Sequence, residues 1–161
     1  MVRFEAVLGG SGVTEAEIRS LASAIRTPKV HDPEETTALM ILGEARRLRE
    51  GAGLRFQIPV YGVEREAFAV RFRGTVYGYL NTCRHQGLTL DFGDAHFLDE
   101  AADALVCCHH GARYRPETGI CVEGPCEGRR LTPLVIEERD GALLCTGPPR
   151  PGRAEGLHGE T

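Results

Sequence analysis

Two short motifs constrain this chain more than anything else in it: Cys83-Arg84-His85-Gln86-Gly87 and Cys107-Cys108-His109-His110-Gly111. Whatever the rest of the chain does, it must bring these segments together. Two thiolates and two imidazoles on separate loops form a metal-binding set, because both donor types bind iron and zinc well. Gly87 and Gly111 allow each loop a tight turn that aims its donors inward. The residue types leave two choices open. Tetrahedral zinc takes Cys2His2, usually with about two to four residues between paired ligands, and Cys83-x-His85 is tighter than that. The other choice is a [2Fe–2S] cluster with two cysteines on one iron and two histidines on the other. It needs one Cys and one His from each loop, and Cys83, His85, Cys107 and His110 supply them. Cys108-x-His110 repeats the first motif's spacing, so a structural zinc stays open at this level.

Ahead of the motifs the apolar pattern has two periods. Val2–Leu8 alternates and reads as a short strand, and Gly9-Gly10-Ser11-Gly12 reads as a connector. Thr14 and Glu17 form a capping box. Ile18, Leu21, Ala22 and Ile25 follow as a helical stripe that Pro28 ends. Asp32-Pro33 opens a second predicted helix. Its apolar face is Ala38, Ile41, Leu42, Ala45 and Leu48, its last turns carry Arg46, Arg47 and Arg49, and Gly51 and Gly53 stop it. Residues 1–53 therefore read as a mostly helical extension, which packs on the following domain or serves as a docking arm.

From Leu54 the period becomes two. Arg55–Tyr61, Ala67–Arg73 and Thr75–Leu80 read as antiparallel strands, with a hairpin turn at Arg73-Gly74. After the first motif, segments 96–98 and 104–107 read as a hairpin. Segments 112–115, 120–123, 134–138 and 142–146 continue the β pattern, with Asp140-Gly141 as a turn. Residues 148–161 are rich in Pro and Gly and read as a disordered tail. The fold class is mainly β: an antiparallel β domain over residues 54–147 that carries two metal-binding loops.

Composition excludes some partners. With 42% hydrophobic residues the chain can bury a core, and its net charge of −4 includes no basic block. Nucleic acid is not an expected partner, because phosphate binding needs clustered Lys and Arg. The longest apolar run, Ala38–Leu42, falls far short of the ~18–20 residues of a spanning helix, and the start of the sequence gives no expectation of a leader. No membrane association and a cytoplasmic location are expected. Of the six cysteines, Cys121 and Cys126 are expected to stay reduced there, and Cys145 to act as a small buried hydrophobe. His31, His96 and His109 are not expected to be ligands.

The motif stretch resembles the Rieske family, whose loops read Cys-x-His-x-Gly and Cys-x-x-His-Gly. Tyr114, Thr118-Gly119 and Gly124-Pro125 stand where that family has an aromatic, a Thr-Gly turn and a Pro-containing covering loop. The resemblance covers roughly residues 55–146. Three departures stand out: a longer gap before Cys107, read as an extended hairpin around Asp91–Asp103, Cys108 where Pro is usual, and His109 where a large residue is frequent. The resemblance implies a [2Fe–2S] cluster held by Cys83 and Cys107 on the inner iron and His85 and His110 on the outer. Leu88 stands where one half of the respiratory branch's bracing disulfide would be, so no such bridge with Cys108 is expected.

High-potential relatives place a Ser after the second His-Gly, donating to a bridging sulfide, and a Tyr two residues later, donating to a cysteine sulfur. Here those positions are Ala112 and Tyr114, which implies a low to intermediate potential within the family's range of about −150 to +300 mV. The function implied is that of a ferredoxin-like one-electron carrier between a flavin-dependent reductase and a terminal oxygenase or other enzyme. No second iron site of two His and a carboxylate is visible after Cys126, where His158 is the one histidine. An electron-transfer component is therefore expected rather than a self-contained enzyme. The alternatives are a Rieske-like small subunit of a larger redox complex, of the nitrite reductase type, and a zinc-stabilised interaction module.

Overall fold

The computed structural model describes residues 7–8, 16, 39–99, 101 and 103–148, and they form a mainly antiparallel β protein. In chain order the strands are β1 (Val7–Leu8), β2 (Met40–Glu44), β3 (Gly53–Val60), β4 (Val63–Phe72), β5 (Thr75–Leu80), β6 (Leu98–Asp99), β7 (Ala104–Val106), β8 (Arg113–Tyr114), β9 (Cys121–Glu123), β10 (Pro133–Leu134), β11 (Ile136–Arg139) and β12 (Ala142–Cys145). They make three sheets, ordered β1-β3-β4-β5-β10, β11-β12-β2 and β6-β7-β8-β9.

Two-residue turns set the registers. Arg73-Gly74 (φ 52° and 77°) and Asp140-Gly141 (φ 51° and 78°) turn where the sequence predicts, and Tyr61-Gly62 (φ 51° and 78°) closes the β3–β4 hairpin in the same way. Positive φ at both positions matches the twist of the flanking strands.

Strand β4 divides the core. Its Ala67-Phe68-Ala69-Val70 run is buried on both faces. Phe68 and Val70 face a cluster with Tyr79, Phe97, Leu105 and Tyr114, where Phe68 stacks on Phe97 with ring centroids 4.0 Å apart. Ala67 and Ala69 face Leu54, Phe56, Ile58 and Leu134. The first cluster carries the metal-motif loops and the second closes the opposite side. Gly53 is required where the layers touch, because a Cβ there would lie 2.2 Å from the Ala95 carbonyl oxygen.

The helical reading of residues 40–48 is corrected. Met40–Glu44 is a strand antiparallel to β12, pairing Met40 with Cys145 and Glu44 with Ala142, and Ala45–Arg47 is a short 3-10 turn. Without β2, the buried strand β12 would be an open sheet edge. A run of Met, Ile and Leu satisfies period two as well as a helical stripe. Met40 and Leu42 face the second core cluster, while Ile41 packs with Ala142 and Leu144 on the other side. A register shift opposite Gly43 (φ 138°) then resets the phase, so Ala45 and Leu48 still reach the core. Arg71 clamps this turn, donating to Leu48 O at 2.7 Å and Ala45 O at 3.0 Å.

The predicted first helix, residue 16 excepted, and the start of the second lie outside the described residues, as does nearly all of the predicted tail. Among the described residues, no helix is long and apolar enough to cross a membrane.

Candidate metal centre

Each motif closes on itself. In the first loop Cys83 N–H donates to Leu88 O (2.7 Å) and Gly87 N–H to Cys83 O (2.9 Å). In the second, Cys107 N–H donates to Ala112 O and Gly111 N–H to Cys107 O, both at 2.9 Å. Gly87 and Gly111 take φ of 75° and 70°, the left-handed turn that glycine adopts without strain. The first loop follows β5 and the second joins β7 to β8. Cys108 N–H donates to Leu90 O at 2.7 Å and ties the two together.

A buried carboxylate holds the first loop from behind. Asp91 is 2% exposed. It accepts from Asn81 Nδ2 (2.8 Å), Gly93 N–H (3.0 Å) and Ala95 N–H (3.1 Å), and the Arg55 guanidinium lies 3.5 Å away. Asn81 Oδ1 in turn accepts from Leu90 N–H at 2.8 Å. Sequence reasoning placed Asp91 in an extended hairpin and gave it no role. Asn81 and Asp91, two Asx residues bracketing the motif, were the available signal.

The four donors sort into two pairs. Cys83 and Cys107 are buried with their sulfurs interacting, whereas His85 is half-buried and His110 exposed. The imidazoles meet edge to face, with centroids 4.9 Å apart at 88°. His85 Nδ1 is shut from water and has no hydrogen-bond partner among the described residues. A polar nitrogen left so is costly unless something binds it. Among the described residues, no three His, Cys, Asp or Glu side chains converge on a single ion. Paired thiols inside and paired imidazoles outside suit two irons better than one zinc.

Burial raises the Cys83 thiol, but the Tyr114 hydroxyl, the His85 amide and the sulfurs of Cys107 and Cys126 outweigh it and bring it below the ordinary value. At Cys107 burial prevails and pushes the thiol up to about 11. The Tyr114 hydroxyl is raised, by burial first and then by the neighbouring Cys126 and Cys83 sulfurs, so it stays a proton donor. Its oxygen lies 3.2 Å from Cys83 Sγ, accepts from Arg84 N–H at 3.1 Å and lies 3.0 Å from Cys126 Sγ. The contact with Cys83 is the kind expected of Tyr114. The contact with Cys126 was not foreseen.

The remaining motif residues are placed as follows. Ala112 is fully buried, and a Cβ on Gly124 would fall 2.9 Å from its Cα, so the Gly124-Pro125 segment lies directly over the second loop. Gly119 packs flat on the Tyr79 ring, whose hydroxyl donates to Pro116 O at 2.7 Å. His109 turns its ring toward Phe92, with centroids 5.3 Å apart. His96 is exposed. None of the six cysteines is in a disulfide, and Cys145 is fully buried as expected.

The family model of the Rieske [2Fe-2S] domain matches residues 38–145. The chain belongs to the Rieske [2Fe–2S] domain family, and its cofactor is a Rieske-type [2Fe–2S] cluster. Its matched region begins ahead of β2, consistent with β2 being part of the domain. No curated protein matches the chain.

Among solved structures, the chain is similar to the ferredoxin of carbazole 1,9a-dioxygenase from Nocardioides aromaticivorans IC177, with 22% identity and a TM-score of 0.54, covering 69% of this chain and 98% of that one. A complex of reduced oxygenase and oxidized ferredoxin in carbazole 1,9a-dioxygenase gives 22% identity and a TM-score of 0.58, covering 71% and 98%. The terminal oxygenase of carbazole 1,9a-dioxygenase from Novosphingobium sp. KA1 gives 18% identity and a TM-score of 0.56, covering 70% of this chain and 30% of that one. The chain thus spans less than a third of the oxygenase chain and nearly the whole length of the ferredoxins. At these identities the likeness establishes the fold.

Proposed function

We propose that the protein is a one-electron carrier, with Cys83 and Cys107 holding the inner iron of the cluster and His85 and His110 the outer. The cluster supplies a single reversible electron. The residues supply its setting: the two loops keep the sulfurs dry, Tyr114 donates toward Cys83, and the imidazole side faces out. The observation that carries this reading is that asymmetry, with both thiols buried and His110 exposed. An electron can pass to a docked partner across the histidine edge without the site opening.

The proposed partners are a flavin-dependent reductase as donor and a terminal oxygenase or other terminal enzyme as acceptor. The fold-level likeness to ferredoxins of about the same extent supports this, as does the similar ferredoxin solved in complex with its oxygenase. A cytoplasmic location, where thiols outside the cluster stay reduced, is part of the proposal. The test is stopped-flow mixing of the reduced protein with a terminal oxygenase. Reoxidation of one electron equivalent per protein, saturating with oxygenase concentration, is expected. Reoxidation by dioxygen alone, indifferent to the oxygenase, would count against a carrier role.

One consequence concerns Tyr114. A donor to a ligand sulfur favours the reduced cluster, which carries the extra negative charge. Tyr114→Phe is expected to lower the potential. If about 1 kcal/mol of the charged hydrogen bond is specific to the reduced state, the fall is roughly 40 mV for one electron. Protein-film voltammetry reads it directly, and an unchanged or higher potential would contradict the donor role.

A further inference from the structure

A second pair of sulfurs lies behind the proposed inner-iron ligand and takes no part in the carrier function described above. Cys126 Sγ is 3.4 Å from Cys121 Sγ, and both residues are buried. The turn after β9 holds them facing each other. Cys121 N–H donates to Arg129 O (2.7 Å), Gly128 N–H to Cys121 O (2.8 Å) and Arg129 N–H to Cys126 O (3.0 Å). A disulfide sets its sulfurs at about 2.05 Å, so side-chain rotation needs to close little more than an ångström. Around Cys126 the turn is open, since Gly124, Pro125, Glu127 and Gly128 are all exposed.

The pair is wired to the metal site through Tyr114. That hydroxyl has one proton and two sulfur neighbours, Cys126 at 3.0 Å and Cys83 at 3.2 Å. Its oxygen is already engaged by Arg84 N–H. Cys121 Sγ has a further outlet in Glu123 O at 3.3 Å. Whatever removes Cys126 as an acceptor directs the phenolic proton to Cys83.

The geometry points to Cys121 and Cys126 as a dithiol–disulfide pair, oxidised by a peroxide, whose state sets the potential of the cluster through Tyr114. In the first step the Cys126 sulfur attacks the peroxide O–O bond, giving a sulfenic acid and one water. In the second, the Cys121 sulfur displaces the hydroxyl from Cys126 as a second water, and the S–S bond forms. Two thiols and one hydrogen peroxide become one disulfide and two waters, and the cluster neither gains nor loses an electron. The new bond draws Cys126 Sγ toward Cys121 and away from Tyr114. Donation to Cys83 strengthens, and the potential rises.

This inference rests on the ligand role proposed for Cys83. The test treats the cluster-loaded protein with stoichiometric hydrogen peroxide, then reads intact mass, blocked-thiol count and cluster potential. The expected result is a mass loss of two hydrogens confined to the peptide containing Cys121 and Cys126, with an upward shift in potential that a phosphine reductant reverses. In Cys121→Ser neither change occurs. In Tyr114→Phe the bridge still forms but the potential stays put. Cluster loss ahead of any bridge, absence of the bridge, or a bridge with no shift in the unsubstituted protein would each overturn the inference. In the last case the iron content of Cys83→Ala tells the causes apart: retained iron faults the ligand assignment, and lost iron faults the coupling.

Discussion

Cys107→Ala is expected to yield a colourless protein, with iron and acid-labile sulfide at background. Cys107 is buried at the foot of the second loop and interacts with the Cys83 sulfur. Among the described residues, the Cys126 sulfur also lies near Cys83, but it is engaged with Tyr114 and Cys121. Cys108 is the nearest sulfur in sequence, but its backbone amide is committed to Leu90 O and its side chain lies in a more open setting. Cys108→Ala is therefore expected to keep the full cluster and its absorption. Free energy of metal binding is also free energy of folding, so Cys107→Ala should unfold at lower denaturant concentration than the loaded protein. The comparison decides between the two registers that the second motif permits. Iron retained in Cys107→Ala and lost in Cys108→Ala would reverse the assignment.

The second large effect is expected at Asp91, well away from any donor atom. Asp91→Ala leaves Asn81 Nδ2 and the amides of Gly93 and Ala95 without their acceptor and removes one of the two carboxylates beside the Arg55 guanidinium, which keeps Glu66. A buried donor left without its acceptor costs about 1–3 kcal/mol, so Asn81 Nδ2 and the Ala95 amide together lose roughly 2–6 kcal/mol. That is a large share of the roughly 5–15 kcal/mol by which domains are stable. Because Asn81 also holds Leu90, and Leu90 O holds the Cys108 amide, the loss reaches both metal loops. Urea unfolding should show a reduced midpoint and faster iron loss to a chelator. Asp91→Asn keeps the shape and one carbonyl oxygen and should lose less. A drop below about 1 kcal/mol for Asp91→Ala would show that the network contributes little.

Legibility in the sequence followed the range of the interactions. The metal motifs are local in sequence: Cys83, His85, Cys107 and His110 can be picked out by residue type and spacing, and Gly87 and Gly111 mark the turns. The hairpins at Arg73-Gly74 and Asp140-Gly141 are equally local. Met40–Glu44 was misread because five residues fit both periods, and the partner that decides, β12, lies about a hundred residues further on. The Asp91 network was missed for the same reason. Its value depends on Arg55 from β3 and Asn81 from the end of β5, and only folding brings them together. The contact of Tyr114 with Cys126 depends on the register of β8 against β9, which shifts between Arg113 and Tyr114. A bulge of that kind leaves no spacing to read.

The central claim is that the iron pair has two sulfur and two imidazole ligands from this chain. Pulsed electron-spin resonance on the reduced protein, grown with nitrogen-15 histidine, tests it most directly. The account predicts two strongly coupled histidine nitrogens, and one fewer in each of His85→Cys and His110→Cys. A spectrum with no strongly coupled nitrogen, or a purified protein holding a single zinc and no iron, would contradict it.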